Sequence, residues 1–227
     1  TMHSIKIAID GPSGAGKSTI AKELAKRFGF TYIDTGAMYR AVGYYAALHN
    51  TDTSDEAALA EILPGADIDI IYEDGVQHII LCGKDVSSEI RLPEMSAAAS
   101  AVARHGAVRN RLVDMQRKLA EKYSVIMDGR DIGTCVLKDA DVKLFVTADV
   151  NVRAKRRFDE LALRGTPQSF EDVLSDMKQR DYNDSHREIS PLKMADDAIL
   201  VDTSDMNFEE SVDRIYNITA DIINKKS

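Results

Sequence analysis

Gly11-Pro12-Ser13-Gly14-Ala15-Gly16-Lys17-Ser18-Thr19 is the stretch that decides the fold of this 227-residue chain. It satisfies G-x-x-x-x-G-K-[ST], and its flanks supply the setting the pattern requires. Before it, Ile5 to Asp10 is short, β-branched and largely apolar, as in a strand covered on both faces. After it, Ile20, Ala21, Leu24, Ala25 and Phe28 recur at helical spacing between Lys17 and Phe28, with Lys22, Glu23, Lys26 and Arg27 on the wet face and Gly29 as a stop. Glycines let such a loop curl with its N–H groups inward, and the helix N-terminus adds positive potential. Lys17 is then placed to reach β and γ phosphates and Ser18 to ligand Mg²⁺. The expected ligand is a nucleoside triphosphate.

Strand and helix signals alternate from there to the other end, which predicts an α/β fold: a central, mainly parallel sheet flanked by helices. Strands are expected at Thr31 to Ile33, Ser124 to Asp128, Val142 to Thr147 and Ala198 to Val201. Helices are expected after Asp34, over Asp55 to Leu63, Glu94 to Ala103, Val108 to Tyr123, Val152 to Leu163, Phe170 to Arg187 and Phe208 to Ile223. Between Leu63 and Pro93 the texture changes. Asp67-Ile68-Asp69-Ile70 alternates, Glu73-Asp74-Gly75 signals a hairpin turn, and Val76 to Leu81 returns. This reads as a small antiparallel insertion at 64–93 within one domain spanning 1–227, since no Ser/Gly linker divides the chain.

Composition narrows the partners. Hydrophobic residues at 44% fill a core, and 29 Lys plus Arg against 37 Asp plus Glu give a net charge of −8. That balance argues against a broad basic surface for nucleic acid, yet leaves room for a local anion site. No apolar run reaches membrane-span length, and no N-terminal leader pattern is present, so a cytoplasmic protein is expected. Thr1 before Met2 suggests that Met2 is the native start. Cys82 and Cys135 form no C-x-x-C pair and read as ordinary buried thiols. His3, His49, His78, His105 and His186 form no spaced cluster and no carboxylate pairing, and read as surface residues.

Three further stretches bear on chemistry: Asp34-Thr35-Gly36-Ala37-Met38-Tyr39-Arg40, Asp128-Gly129-Arg130-Asp131-Ile132-Gly133-Thr134 and Arg180-Asp181-Tyr182-Asn183-Asp184-Ser185-His186-Arg187. On the last, Arg180, Asp184 and Arg187 share one helical face. That is either a surface ion-pair ladder or a preorganised reader of a ribose or base edge. Asp128 ends a buried strand, either as a strand-end cap or as a second carboxylate orienting Mg²⁺. Arg153, Lys155, Arg156 and Arg157 make the densest basic run, which by itself reads as a solvated face.

Together with the loop at Gly11, these stretches closely resemble bacterial cytidylate kinases, nucleoside monophosphate kinases of the phosphate-loop class, over nearly the whole chain. The resemblance extends to the insertion after Leu63, which shorter adenylate-type relatives lack. It implies transfer of the γ-phosphate of MgATP to CMP or dCMP. It places Thr35, Tyr39 and Arg40 at the acceptor nucleotide, with Arg40 on its phosphate. Arg130 and Arg180, with Lys17 and Arg157, would surround the transferring group. Ser100, Arg109, Asp131 and Arg187 match positions that hydrogen-bond the cytosine edge, and Asp184 matches the residue on the ribose 2′-hydroxyl. Residues 35–104 would form the acceptor region and 152–167 a lid, bringing Arg153, Arg156 and Arg157 over ATP. Ser18 stands where some members carry Gly before a Thr, so Ser18 or Thr19 supplies the hydroxyl near Mg²⁺, and Thr35 replaces Ser.

The chemistry asks for such residues in its own right. Phosphoryl transfer spreads charge over equatorial oxygens, so positioning and positive charge dominate. A phosphate acceptor is already ionised at pH 7 and needs no general base. The resemblance implies free CMP, dCMP and ATP as partners, and a monomer without nucleic acid or membrane is expected. A kinase for another acceptor, such as UMP or a small hydroxyl compound, and a non-catalytic nucleotide-binding module remain the alternatives.

Overall fold

The computed structural model describes residues 4–226. The expectations for Thr1, Met2 and His3 fall outside the described residues. Five parallel strands form the central sheet: β1 (Lys6–Asp10), β2 (Thr31–Asp34), β6 (Val125–Gly129), β7 (Val142–Thr147) and β8 (Ile199–Asp202), in the order β2-β6-β1-β7-β8. Helices cover both faces: α1 (Lys17–Phe28), α2 (Thr35–Leu48), α3 (Glu56–Ile62), α4 (Pro93–Val102), α5 (Gly106–Lys122), α6 (Val150–Leu163), α7 (Phe170–His186) and α8 (Phe208–Lys226). The insertion is a separate antiparallel sheet of β3 (Ile68–Glu73), β4 (Val76–Leu81) and the two-residue β5 (Lys84–Asp85).

Strand alternation sorts the core into two layers. Ile7, Ile9, Ile126, Val142 and Leu144 pack on Ile20, Ala21 and Leu24 of α1 and on Val212 and Ile215 of α8. Ala8, Ile33, Val125 and Met127 point the other way, onto Met38 and Val42 of α2, Leu112 of α5, and Ile79 and Leu81 of β4. Each such fully buried aliphatic side chain contributes about 1.5–3 kcal/mol. Side-chain oxygens of Asp34, Asp55, Asp149 and Ser169 accept from backbone amides and start α2, α3, α6 and α7. Where α2 crosses α4, a Cβ on Gly43 would stand 2.7 Å from the Cβ of Ala98, so only glycine permits this approach.

The expected order of elements is present, with ends displaced by one to three residues. Four readings need correction. A π-helical turn over Ile132–Val136 has no counterpart in the expected elements, because it is organised by a residue far away in sequence. Cys82 is exposed and Cys135 half-buried; Cys82 and Gly83 form the tight turn between β4 and β5, at φ 50° and 79°, and a turn tip faces solvent. His105 is buried, with Nε2 2.8 Å from the carbonyl of Thr53. His78 does pair with a carboxylate, Asp85, at 2.8 Å on the exposed insertion. No helix among the described residues is long and apolar enough to cross a membrane.

Candidate active site

The expected site residues gather at the carboxyl ends of the parallel strands, where open α/β sheets bind ligands. Gly11 leaves β1 at φ 149°, and a Cβ there would lie 1.9 Å from the carbonyl oxygen of Val146 on β7. Gly16 takes a left-handed conformation at the head of α1, whose first amides no side chain caps. A Gly-rich loop opening onto an uncapped helix N-terminus favours anions. Within the loop, Pro12 and Ala15 are buried, Ser13 is half-buried, and Gly14, Ser18 and Thr19 are exposed.

Lys17 folds back into the loop and donates to the carbonyl of Pro12 at 2.6 Å. Burial depresses its pKa to about 7, reinforced by the neighbouring guanidinium of Arg130 and opposed by Asp128 and Asp10. Arg180 lies beside it, with its pKa brought down to about 10 by burial and by Arg130, and further by Arg40 and Arg157. Its buried Nε has no hydrogen-bond partner, nor have Nε of Arg40 and Nη1 of Arg109. A fold rarely buries donors without acceptors, and cations beside cations still less. Lys17, Arg40, Arg130, Arg157 and Arg180 thus concentrate positive charge where an anion would be held.

The other side of the site is built from β6 and the turn after it. Arg130 Nε donates to Asp184 Oδ2 on α7 at 2.7 Å. Asp131 accepts from Arg109 of α5 and faces Arg187, which ends α7, at 3.5 Å. Arg109 also lies over the Tyr39 ring, 5.7 Å from its centroid; burial raises the Tyr39 phenol to about 12. The Arg180, Asp184 and Arg187 set is therefore not a ladder within one helix, since Asp184 and Arg187 pair with the β6 turn. Thr35 is buried and its hydroxyl donates to the carbonyl of Asp128 at 2.7 Å. Arg40 is braced by Asp34 at 3.0 Å. Ser100 is half-buried on the last turn of α4.

Of the basic run on α6, Arg157 is a charged neighbour of Arg180, and it pairs with Glu160 at 2.9 Å. Arg153 is buried beneath the loop, donating to the carbonyls of Ala148 and Ser13 and to Asp181 of α7 at 2.8, 3.0 and 2.7 Å. Arg156 donates to the carbonyl of Thr203 at 2.8 Å.

Asp128 accepts from Ser18 at 2.7 Å on one oxygen and from Tyr32 at 2.8 Å on the other. Burial raises its pKa, as does Asp34, while Lys17 and the two hydroxyls lower it. Among the described residues no group of three or more acidic, His or Cys side chains could cage a metal. A hydroxyl backed by one carboxylate nonetheless fits Mg²⁺, which takes one or two protein oxygens and completes its shell with water and phosphate. Sequence reasoning missed Tyr32 and Asp10. Asp10 was signalled only as a charge ending an apolar strand at the ligand-binding edge.

A family model described as "Cytidylate kinase" matches residues 7–221. The chain is 51% identical over 213 residues to a cytidylate kinase of Caldanaerobacter subterraneus subsp. tengcongensis, covering 94% of this chain and 93% of that protein. It is 49% identical over 216 residues to a cytidylate kinase of Lactobacillus johnsonii, covering 95% and 94%. Among solved structures, an uncharacterized protein from Eubacterium ventriosum superposes with a TM-score of 0.52 at 16% identity, over 97% of this chain and 99% of that one, a likeness of fold alone.

Proposed function

The chain belongs to the cytidylate kinase family, and from that membership we propose that it transfers the γ-phosphoryl group of ATP to CMP or dCMP, giving ADP and CDP or dCDP. The observation that carries this reading is the gathering of Lys17, Arg40, Arg130 and Arg157 around Arg180, whose buried Nε has no acceptor. Two nucleotides brought phosphate to phosphate supply the missing charge.

In this reading residues 11–19 bind the donor, with Lys17 on its terminal phosphates. Lys17, Arg130, Arg180 and Arg157 follow the charge as it spreads over the transferring group, which is the main catalytic demand of a loose transition state. Arg40 holds the acceptor phosphate, while Thr35 and Tyr39 shape its pocket. Ser100, Arg109, Asp131 and Arg187 read the base, and Asp184 the ribose. Ser18 and Asp128 hold Mg²⁺, which when bound neutralises donor phosphate charge. The acceptor phosphate is ionised at neutral pH, so none of these residues removes a proton.

Residues 35–104 form the acceptor region and 152–167 a lid of a single domain. Within that lid, the existing bonds of Arg153 and Arg156 favour a supporting role for both, with Arg157 as the arginine offered to the phosphates. The net charge of −8 favours small nucleotides over nucleic acid, and the protein works in the cytoplasm as a monomer.

Turnover of CMP, dCMP, UMP, AMP and shikimate with ATP and Mg²⁺, followed by ADP formation, tests this. CMP or dCMP should be preferred. A clear preference for UMP or AMP overturns the cytosine assignment, and no ADP with any acceptor overturns catalysis.

A further inference from the structure

The turn that carries Arg130 and Asp131 is suspended from β1. Asp10 pairs with Gly129 in the parallel ladder, which fixes the near end of the turn. Its carboxylate fixes the far end, Oδ1 accepting from the Ile132 amide and Oδ2 from the Gly133 amide, both at 2.7 Å. Those amides open the π-helical turn at Ile132–Val136, which the side chain of its own cap residue Asp131 does not cap. One strand-end residue thus supplies a cap across a gap of more than a hundred positions. Between the two pinned ends lies only the dipeptide Arg130-Asp131. Arg130 reaches Asp184 and neighbours Lys17, while Asp131 meets Arg109 and Arg187.

Asp10 itself is 4% exposed and ends β1 directly before the loop. Both oxygens of its carboxylate are taken by the turn, so its effect on the site runs through the turn. We propose that Asp10 is a positioning residue that holds Arg130 and Asp131 in register for the acceptor nucleotide. This rests on the reading of those two residues given above.

Two acceptor oxygens are needed, one for each amide, and the ionised carboxylate provides both. The charged groups around it are Lys17 at the head of α1 and Asp131 on the turn, with Lys143 of β7 packed on Gly133. Burial raises the Asp10 pKa to about 6, and the two amides and Lys17 oppose that rise. Below this pH the carboxyl is protonated and one acceptor oxygen becomes a hydroxyl.

The test compares Asp10→Asn, which keeps size and one acceptor but turns an NH₂ toward the other amide, with the native enzyme. At about pH 7.5 the KM for CMP should rise about tenfold or more, with the KM for ATP changed less than about twofold. The ratio of the two enzymes' KM values for CMP should shrink toward one near pH 5, because the native protein loses the same acceptor. The ionisation of the CMP phosphate cancels in that ratio. If the variant does not fold, amide exchange of the native protein decides: protection at Ile132 and Gly133 should fall as the pH drops through about 6. An equal rise in both KM values, an unchanged KM for CMP, a pH-independent ratio, or flat protection at these amides overturns the proposal. Asp131→Asn and Arg130→Ala run in parallel. If they raise the KM for CMP and Asp10→Asn does not, Asp10 alone is misread. If they leave it unchanged, the acceptor reading falls with it.

Discussion

Arg130 and Asp184, 54 positions apart, meet in one hydrogen bond of 2.7 Å from Nε to Oδ2. Burial of the carboxylate pushes its pKa up, but the charges of Arg130, Arg180 and Arg187 outweigh this and hold Asp184 below the usual aspartate range. The pair therefore stabilises the fold above the unfolded-state pKa, and this is lost as the pH falls through the lower folded value. Asp184→Ala leaves Arg130 beside Lys17 with its carboxylate gone. It should cost about 3–5 kcal/mol and raise the KM for CMP well beyond that for ATP. Urea unfolding at neutral pH with paired KM values checks this; equal losses for both nucleotides would mark a purely structural bridge.

Lys17 gives a proton-uptake prediction. With a pKa near 7 in the ligand-free protein it is largely neutral at about pH 8, and a triphosphate draws the proton back. ATP binding should then take up as much as about one proton, read as a dependence of the calorimetric heat on the buffer's ionisation enthalpy. The unfolded lysine holds this proton up to 10.5, so the free protein should gain stability as the pH rises between about 7 and 10.5. Lys17→Ala should abolish uptake, slope and transfer together while keeping the fold. A buffer-independent heat for the native protein would count against the depressed lysine.

Arg153 ties α6 to the loop and to α7 through Ser13 and Asp181. Arg153→Ala should lower stability by about 2–3 kcal/mol and loosen the donor loop, raising the KM for ATP with little change for CMP. Were the side chain mobile over ATP instead, stability would stay unchanged while kcat fell.

Ser18 and Tyr32 share the two oxygens of Asp128. Ser18→Ala should raise the Mg²⁺ concentration for half-maximal ATP binding about tenfold, measured by calorimetry across a magnesium series. Tyr32→Phe should shift it in the same direction and by less, since the phenol only orients the carboxylate. An unmoved magnesium midpoint in Ser18→Ala would exclude the hydroxyl from the metal site.

What could be read from the sequence was whatever local chemistry dictates. Gly11 to Thr19 announced strand, loop and helix in nine residues. Asp74-Gly75 announced the hairpin, and both residues do carry positive φ, at 50° and 76°. What escaped depends on partners remote in sequence. The turn at Ile132–Val136 owes its shape to Asp10, and no periodicity within five residues reveals that. Arg153 looked like one member of a basic run because its carbonyl partners at Ser13 and Ala148 carry no sequence signal. Cys82 reads as a buried thiol because it has no C-x-x-C partner, and nothing in that spacing reveals the φ of 50° that places it at an exposed turn tip.

Gln77 of the insertion carries a consequence for solubility. β2 ends the five-stranded sheet, leaving one row of backbone groups without a neighbouring strand. The Gln77 side chain fills part of that vacancy, accepting from the Asp34 amide at 2.9 Å and donating to the Asp34 carbonyl at 3.3 Å. The Tyr72 hydroxyl does the same for the carbonyl of Tyr32 at 2.9 Å. An open edge is a template for a second chain, so the insertion also acts as an edge guard. Shortening the protein by removing it would uncover a sticky border, and the shortened chain would self-associate through β2.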